Sequence, residues 1–333
     1  MPAPLLTGVA YTHSIAGNWD NSGTYNGNTG TIILTGSGTT AGGSGTQNFN
    51  NLTVAASLIS FTNSSISISG NLATTVSGSF SQASGGIFTM TGSGKTISGS
   101  GIAVDNLTIS GSVSTSPSFT IAGNLTVSGS LTSTVGTITM SGSAKTISGS
   151  GTSSIYILSV TGSLTTAVDF TITAGLIVNG SLAASAGTTT FTGAAAFSGT
   201  AALFNVAING TQLQLSANAI LGIANTFTIT AGTLDVTSSV PNTVNFNGTG
   251  AQIINAINYN NLTLSNGGSK TAAASITINN SITIQSGTSV TVSGGTLKIA
   301  GTINNAGTFD VSAGTIEMNG ASSQVIPAGV FRW

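Results

Sequence analysis

A chain of 333 residues with five Lys or Arg, six Asp or Glu and a net charge of −1 has no basic stripe with which to hold a nucleic acid. The lack of cysteine excludes disulfides and thiolate metal sites, and no apolar run reaches the length of a membrane span. Only 3% of residues are charged, against roughly 25% in an ordinary soluble domain, yet 39% are hydrophobic. That balance, rich in Ile, Val and Thr, argues for packed strands and against disorder.

In chain order, residues 1–16 precede the repeats. They lack the basic start and long apolar stretch of a secretory leader. Residues 17–333 then read as one domain of repeats about fifty residues long: 31–86, 87–136, 137–187, 188–241, 242–295 and a partial 296–333. The clearest copies are MTGSGKTISGSG at 90–101 and MSGSAKTISGSG at 140–151, identical at ten of twelve positions. Asn51-Leu52-Thr53 recurs as Asn106-Leu107-Thr108 and Asn261-Leu262-Thr263.

Within 87–136 the spacing predicts strands at 87–90, 96–98, 107–110, 118–121 and 125–128, each alternating apolar residues with Thr or Ser. No stretch has helical period with helix-forming residues. The predicted fold is all-β: an elongated parallel β-solenoid, right-handed because parallel crossovers prefer that hand. Each repeat would make two coils of about 25 residues, or about 13 coils in all, stacked about 4.8 Å apart. Like residues of successive repeats would then lie over one another. The alternative is tandem β-sandwiches, disfavoured because few Asn-Gly or Asp-Gly turns sit between paired strands.

The two ends repeat each other: residues 17–37 align without gaps on 301–321, with Gly17 on Gly301, Gly30 on Gly314 and Ile32 on Ile316. Carried on, the same alignment sets Phe331 at Gln47, two residues before Phe49. The chain is either cut from a longer array or built so that its last coil meets the first coil of another copy.

The succession GNW-x-N-x-GTY, GT-x-x-LTG and Q-x-F-NNLTV across 17–54 resembles the strand-repeat regions of large secreted surface proteins of bacteria, above all of the Bacteroidetes type. The resemblance extends over nearly the whole chain. It implies a β-solenoid, an extracellular or cell-surface location, and a structural role as a filament subunit or adhesin stalk.

Residues that could carry chemistry are sparse. Glycosidases need a carboxyl pair. The best candidates are Asp235 and Asp310, both following Ala-Gly-Thr, but three predicted coils apart they are too distant for a polysaccharide lyase or hydrolase centre and read as solvated edge charges. Lys95 and Lys145 echo the end of a phosphate-binding loop, without its first glycine and without a following helix. His13 is the only histidine, so a catalytic triad would have to join it to Asp20 and a serine. No cofactor and no metal is expected, and the chain reads as non-enzymatic. The Asn of each Asn-Leu-Thr triplet suits a coil corner, where it tolerates left-handed backbone and its amide bonds one coil away.

Thr-x-Thr pairs at 137–139, 171–173, 188–190 and 228–230 would suit an ice-binding ladder only if they recurred on every coil, and they recur nearer every second one. The aromatic residues Tyr11, Trp19, Tyr25, Phe331 and Trp333 are candidate surface or end contacts. They would either plug the solenoid ends in head-to-tail homopolymers or hold surface glycans.

Overall fold

The computed structural model describes residues 10–62, 65–311, 313–326 and 331–332. Among these residues every regular element is a strand, and the strands build a parallel β-solenoid of about 16 turns. The chain divides into two compact units, Met1–Phe170 and Thr171–Trp333.

Short-range alternation explains why these residues form strands. In Asn106–Ile109 the side chains of Leu107 and Ile109 are buried while Asn106 and Thr108 face outward. The same pattern recurs in Asn51–Val54, Thr137–Met140 and Thr296–Ile299. A buried Leu or Ile contributes roughly 1.5–3 kcal/mol, and Thr, β-branched yet polar, suits the wet side of the same strand.

In the N-terminal unit each coil has three strands. One column runs Asn51–Val54, Leu72–Thr74 and Lys95–Ser98 to Ser112–Thr115. A second runs Ile59–Phe61, Phe80–Gln82 and Ile102–Val104 to Phe119–Ile121. The third runs Ser65–Ile68, Ile87–Met90 and Asn106–Ile109 to Leu125–Val127. The three columns enclose a narrow apolar core in which Phe61 and Phe80 of the second column and Phe88 of the third meet with ring centroids 5.1–5.4 Å apart.

The register corrects the coil length. Ile102 stacks on Phe119, 17 residues later, and Leu72 on Ile97, 25 later, with most pairs near 20. The result is about 16 turns in place of about 13. Three strands of the 87–136 repeat escaped the sequence pattern: Ile102–Val104, Ser112–Thr115 and Ser130–Ser133.

The same register corrects the stacking. From Ile87–Met90 to its copy Thr137–Met140 there are eight strands, and three strands make a coil, so a repeat is two and two-thirds coils. Ile87–Met90 therefore belongs to the third column and Thr137–Met140 to the second. Matching repeats do not lie over one another. Like still stacks on like at the shorter period, as in Leu107 on Leu125 and Thr108 on Thr126.

The corner between the third and first columns is a column of glycines. A Cβ on Gly111 would lie 2.0 Å from the carbonyl oxygen of Gly92, on Gly129 1.8 Å from that of Gly111, and on Gly151 2.0 Å from that of Gly129. Real Cβ atoms never come so close, so each coil can follow the one beneath it only without a side chain there.

The C-terminal unit uses the same three-strand coil with longer strands. Ala194–Leu203 pairs with two strands of the next coil, one through 194–197 and one through 200–203. Asn205–Leu215 turns its corner through register shifts at Asn209, as a bulge does. One column continues through Thr243–Phe246, 261–264, 281–284 and Thr302–Asn305.

Candidate functional site

The first described coil brings three of the sequence-selected aromatics together. The ring of Trp19 stands 4.8 Å from that of Tyr25 in an edge-on contact, and both lie against Phe49, at 5.5 and 5.2 Å. The Trp19 indole donates to Gln47 Oε1 at 2.8 Å, and Gln47, itself buried, donates on to the Gly42 carbonyl at 2.8 Å. Burial, and then the neighbouring Tyr11, pushes the Tyr25 hydroxyl up to about 12. Tyr11 in turn packs edge-on against His13 at 4.4 Å.

Beside these rings is a cavity of about 450 Å³ lined by His13, Asn18, Trp19, Asp20, Asn21 and Tyr25. An aromatic wall facing two amides and a carboxylate can stack on a sugar ring and bond its hydroxyls. Trp19 and Tyr25 are half-buried and held by Gln47 and Phe49. Of the remaining candidates, Phe331 pairs through its backbone with Phe309, its side chain lying outside the described residues, as does all of Trp333.

The other candidates are not gathered into a site. Asp235 stacks beside Gln214 and Asp310 beside Thr291, on separate strand ladders. The Asp235 carboxylate accepts from the backbone N–H groups of Thr237 and Ser238 at 2.9 and 3.0 Å and from Gln212 Nε2 at 3.0 Å. The Ser238 hydroxyl above all, with those N–H groups, holds its carboxyl down at about 2. The carboxylate caps a turn. Lys95 and Lys145 lay their stems over Gly92 and Gly142 instead of reaching into a phosphate cradle: a Cβ on either glycine would meet the lysine Cγ at 2.8 Å.

The Asn positions form ladders. Asn106 Oδ1 accepts from the Asn124 backbone N–H, and Asn124 Oδ1 from the Thr146 N–H, each at 2.9 Å and one coil on. In the C-terminal unit Asn280 donates to Asn261 Oδ1 at 2.7 Å. None of the triplet asparagines has left-handed backbone; that conformation falls on Asn28, Asn218 and Asn266.

A repeated glutamine device and a buried lysine were missed in the sequence. Gln252 Oε1 accepts from the Gly248 N–H at 2.9 Å while its Nε2 donates to the carbonyls of Ile223 and Asn225. Gln324 repeats this with Gly320, Ile299 and Gly301. The shared signal is Asn-Gly followed four residues after the glycine by Gln, at 247–252 and 319–324. Lys270, fully buried, donates to Gln252 Oε1 at 2.6 Å and to the Gly248 carbonyl, and desolvation lowers its pKa.

Comparison with protein-family models, with curated proteins and with solved structures finds no match.

Proposed function

We propose that this is a structural extracellular protein whose solenoid stacks end to end into a surface filament or serves as the stalk of an adhesin. The observation that carries the reading is the edge of the first described coil. Thr12–Ile15, Trp19–Asp20 and Thr24–Asn26 each pair with the coil that follows and, among the described residues, have no strand on their other side. A row of unpaired N–H and C=O groups is a template for another strand.

The register supports a second copy as that partner. Thr12 stacks on Thr31 as Thr296 stacks on Thr315, so the first coil repeats the geometry of Thr296–Ile299 and its successor. Inside the chain, Thr296–Ile299 is covered by the strand segment 276–278. A coil of that kind from another copy fits the open edge, and a contact that does not close on itself produces an open filament. The resemblance of 17–54 to strand-repeat regions of secreted surface proteins favours an extracellular setting. Electron microscopy of the purified chain at rising concentration tests this. Threads many times longer than one molecule are expected; single particles at every concentration would overturn it.

A second reading has its own observation, the cavity beside Trp19 and Tyr25. It makes the first coil a carbohydrate-binding surface of an adhesin. A glycan array in which Trp19→Ala abolishes the signals of the parent chain would favour it, and an array without signals would remove it.

A further inference from the structure

We propose that the third strand column of the N-terminal unit adsorbs to ice. Its register aligns one outward side chain per coil into an unbroken row: Asn48, Ser67, Thr89, Thr108, Thr126 and Ser148. Two residues earlier on the same strands runs a second row that includes Ser65, Ile87 and Asn106. Neither row holds a charged residue. The side chains of Asn48, Ser67, Thr89 and Thr108 are half-exposed and make no hydrogen bond among the described residues. Four consecutive coils therefore present polar groups whose bonding capacity is open to an external partner.

The spacing of these groups identifies that partner. Strands in a ladder step about 4.8 Å, and alternate residues along a strand lie about 6.7 Å apart, so the two rows form a rectangular lattice. Ice is a tetrahedral network with O···O distances of about 2.75 Å, and the tetrahedral angle sets second-neighbour oxygens about 4.5 Å apart. Each rung can thus meet one oxygen along a lattice line. Over six coils the mismatch, spread to both sides of the centre, displaces the end groups by less than about 1 Å, within reach of side-chain rotation. A charged group would keep its own hydration shell and break that register; none is present.

The spacing of Thr-x-Thr in the sequence argued against such a surface. That objection assumed two coils per repeat. With three strands per coil, consecutive rungs come from different parts of the repeat: Ser65-Ile66-Ser67, then Ile87-Phe88-Thr89, then Asn106-Leu107-Thr108. The ladder is continuous in space although it is not periodic in sequence.

Slow growth of an ice hemisphere from a dilute solution of the full chain, with an inert protein as internal reference, tests the proposal. The chain is expected to enter the ice while the reference is excluded. The double variant Thr89→Tyr, Thr108→Tyr is expected to lose that partition, and Thr139→Tyr, on the second column, to keep it. If the tyrosine pair loses its β-sheet circular dichroism, Thr89→Lys with Thr108→Lys addresses the same row with flexible side chains. Exclusion of the parent chain from ice overturns the proposal. So does partition that survives both double variants, or parent chain that binds crystalline cellulose or chitin but not ice. Filament formation is read separately by microscopy and neither outcome there alters this one.

Discussion

Lys270 shows how one residue can work against the fold that contains it. Its ammonium group is removed from water and, among the described residues, is met only by Gln252 Oε1 and a carbonyl, with no carboxylate. Burial therefore disfavours its charged form, and its pKa lies below the ordinary 10.5. Between the folded value and 10.5 the unfolded chain binds more protons, so this group's contribution to stability rises with pH through that window and is lost as pH falls through it. Replacing Lys270 with Met is expected to raise the melting temperature at pH 7. The advantage should shrink as pH approaches 10. Thermal melts of both proteins from pH 7 to 10 check this; a constant offset would contradict it. The pKa of Asp235 is lowered too, but there it is the charged form that the fold stabilises. Its carboxyl, held at about 2, supports the fold above pH 4, and that support disappears as pH falls towards 2. Asp235→Asn should flatten the acid limb of the stability curve.

Strands and corners differ in what they tolerate. Within a strand the core position dominates: Leu107→Ala leaves a hole between neighbouring coils and should cost about 2–5 kcal/mol. At the Asn ladder, Asn124→Ala leaves the Thr146 N–H without its acceptor and should cost about 1 kcal/mol. At the glycine corner the effect comes from space. A Cβ on Gly129 would lie 1.8 Å from the Gly111 carbonyl oxygen, so Gly129→Val must push two coils apart and should cost about 3 kcal/mol. Urea titration of the three variants is expected to rank Asn124→Ala as the mildest. A Gly129→Val protein as stable as the parent would contradict the close approach.

For the whole chain the coil is the unit of addition and removal. Leu107 stacks on Leu125, so deleting 106–123 removes 18 residues and puts Asn124 where Asn106 stood. Nearest-neighbour stacking predicts that the shortened chain folds, with an unfolding enthalpy lower by about 13 kcal/mol at roughly 0.7 kcal/mol per residue. Deleting only 106–114 sets a strand of one column under a strand of another and breaks the corners. Calorimetry should show a native-like transition for the first deletion and a much lower or absent one for the second.

Much of this was legible in the residues themselves. Alternation of Ile, Leu and Val with Thr and Ser marked strands and their inner faces, and Asn and Gly marked corners, because each signal acts within a few residues. The convergence of Tyr11, Trp19 and Tyr25 could be expected from their nearness in sequence. The coil was misread because Ile102–Val104, Ser112–Thr115 and Ser130–Ser133 are short and flanked by Gly and Ser, so the pattern around them resembles turns. Nothing local separates the three columns either: Met90 and Met140 are equally buried on different ones. By itself the sequence determined that the chain forms parallel stacked strands with an apolar inside and a hydroxyl-rich outside. The tertiary structure alone decided how many residues close a coil, which repeats share a face, and hence that outward polar groups align coil after coil. Closure depends on how corners pack against the coil beneath, a contact between residues about twenty positions apart that no short window contains.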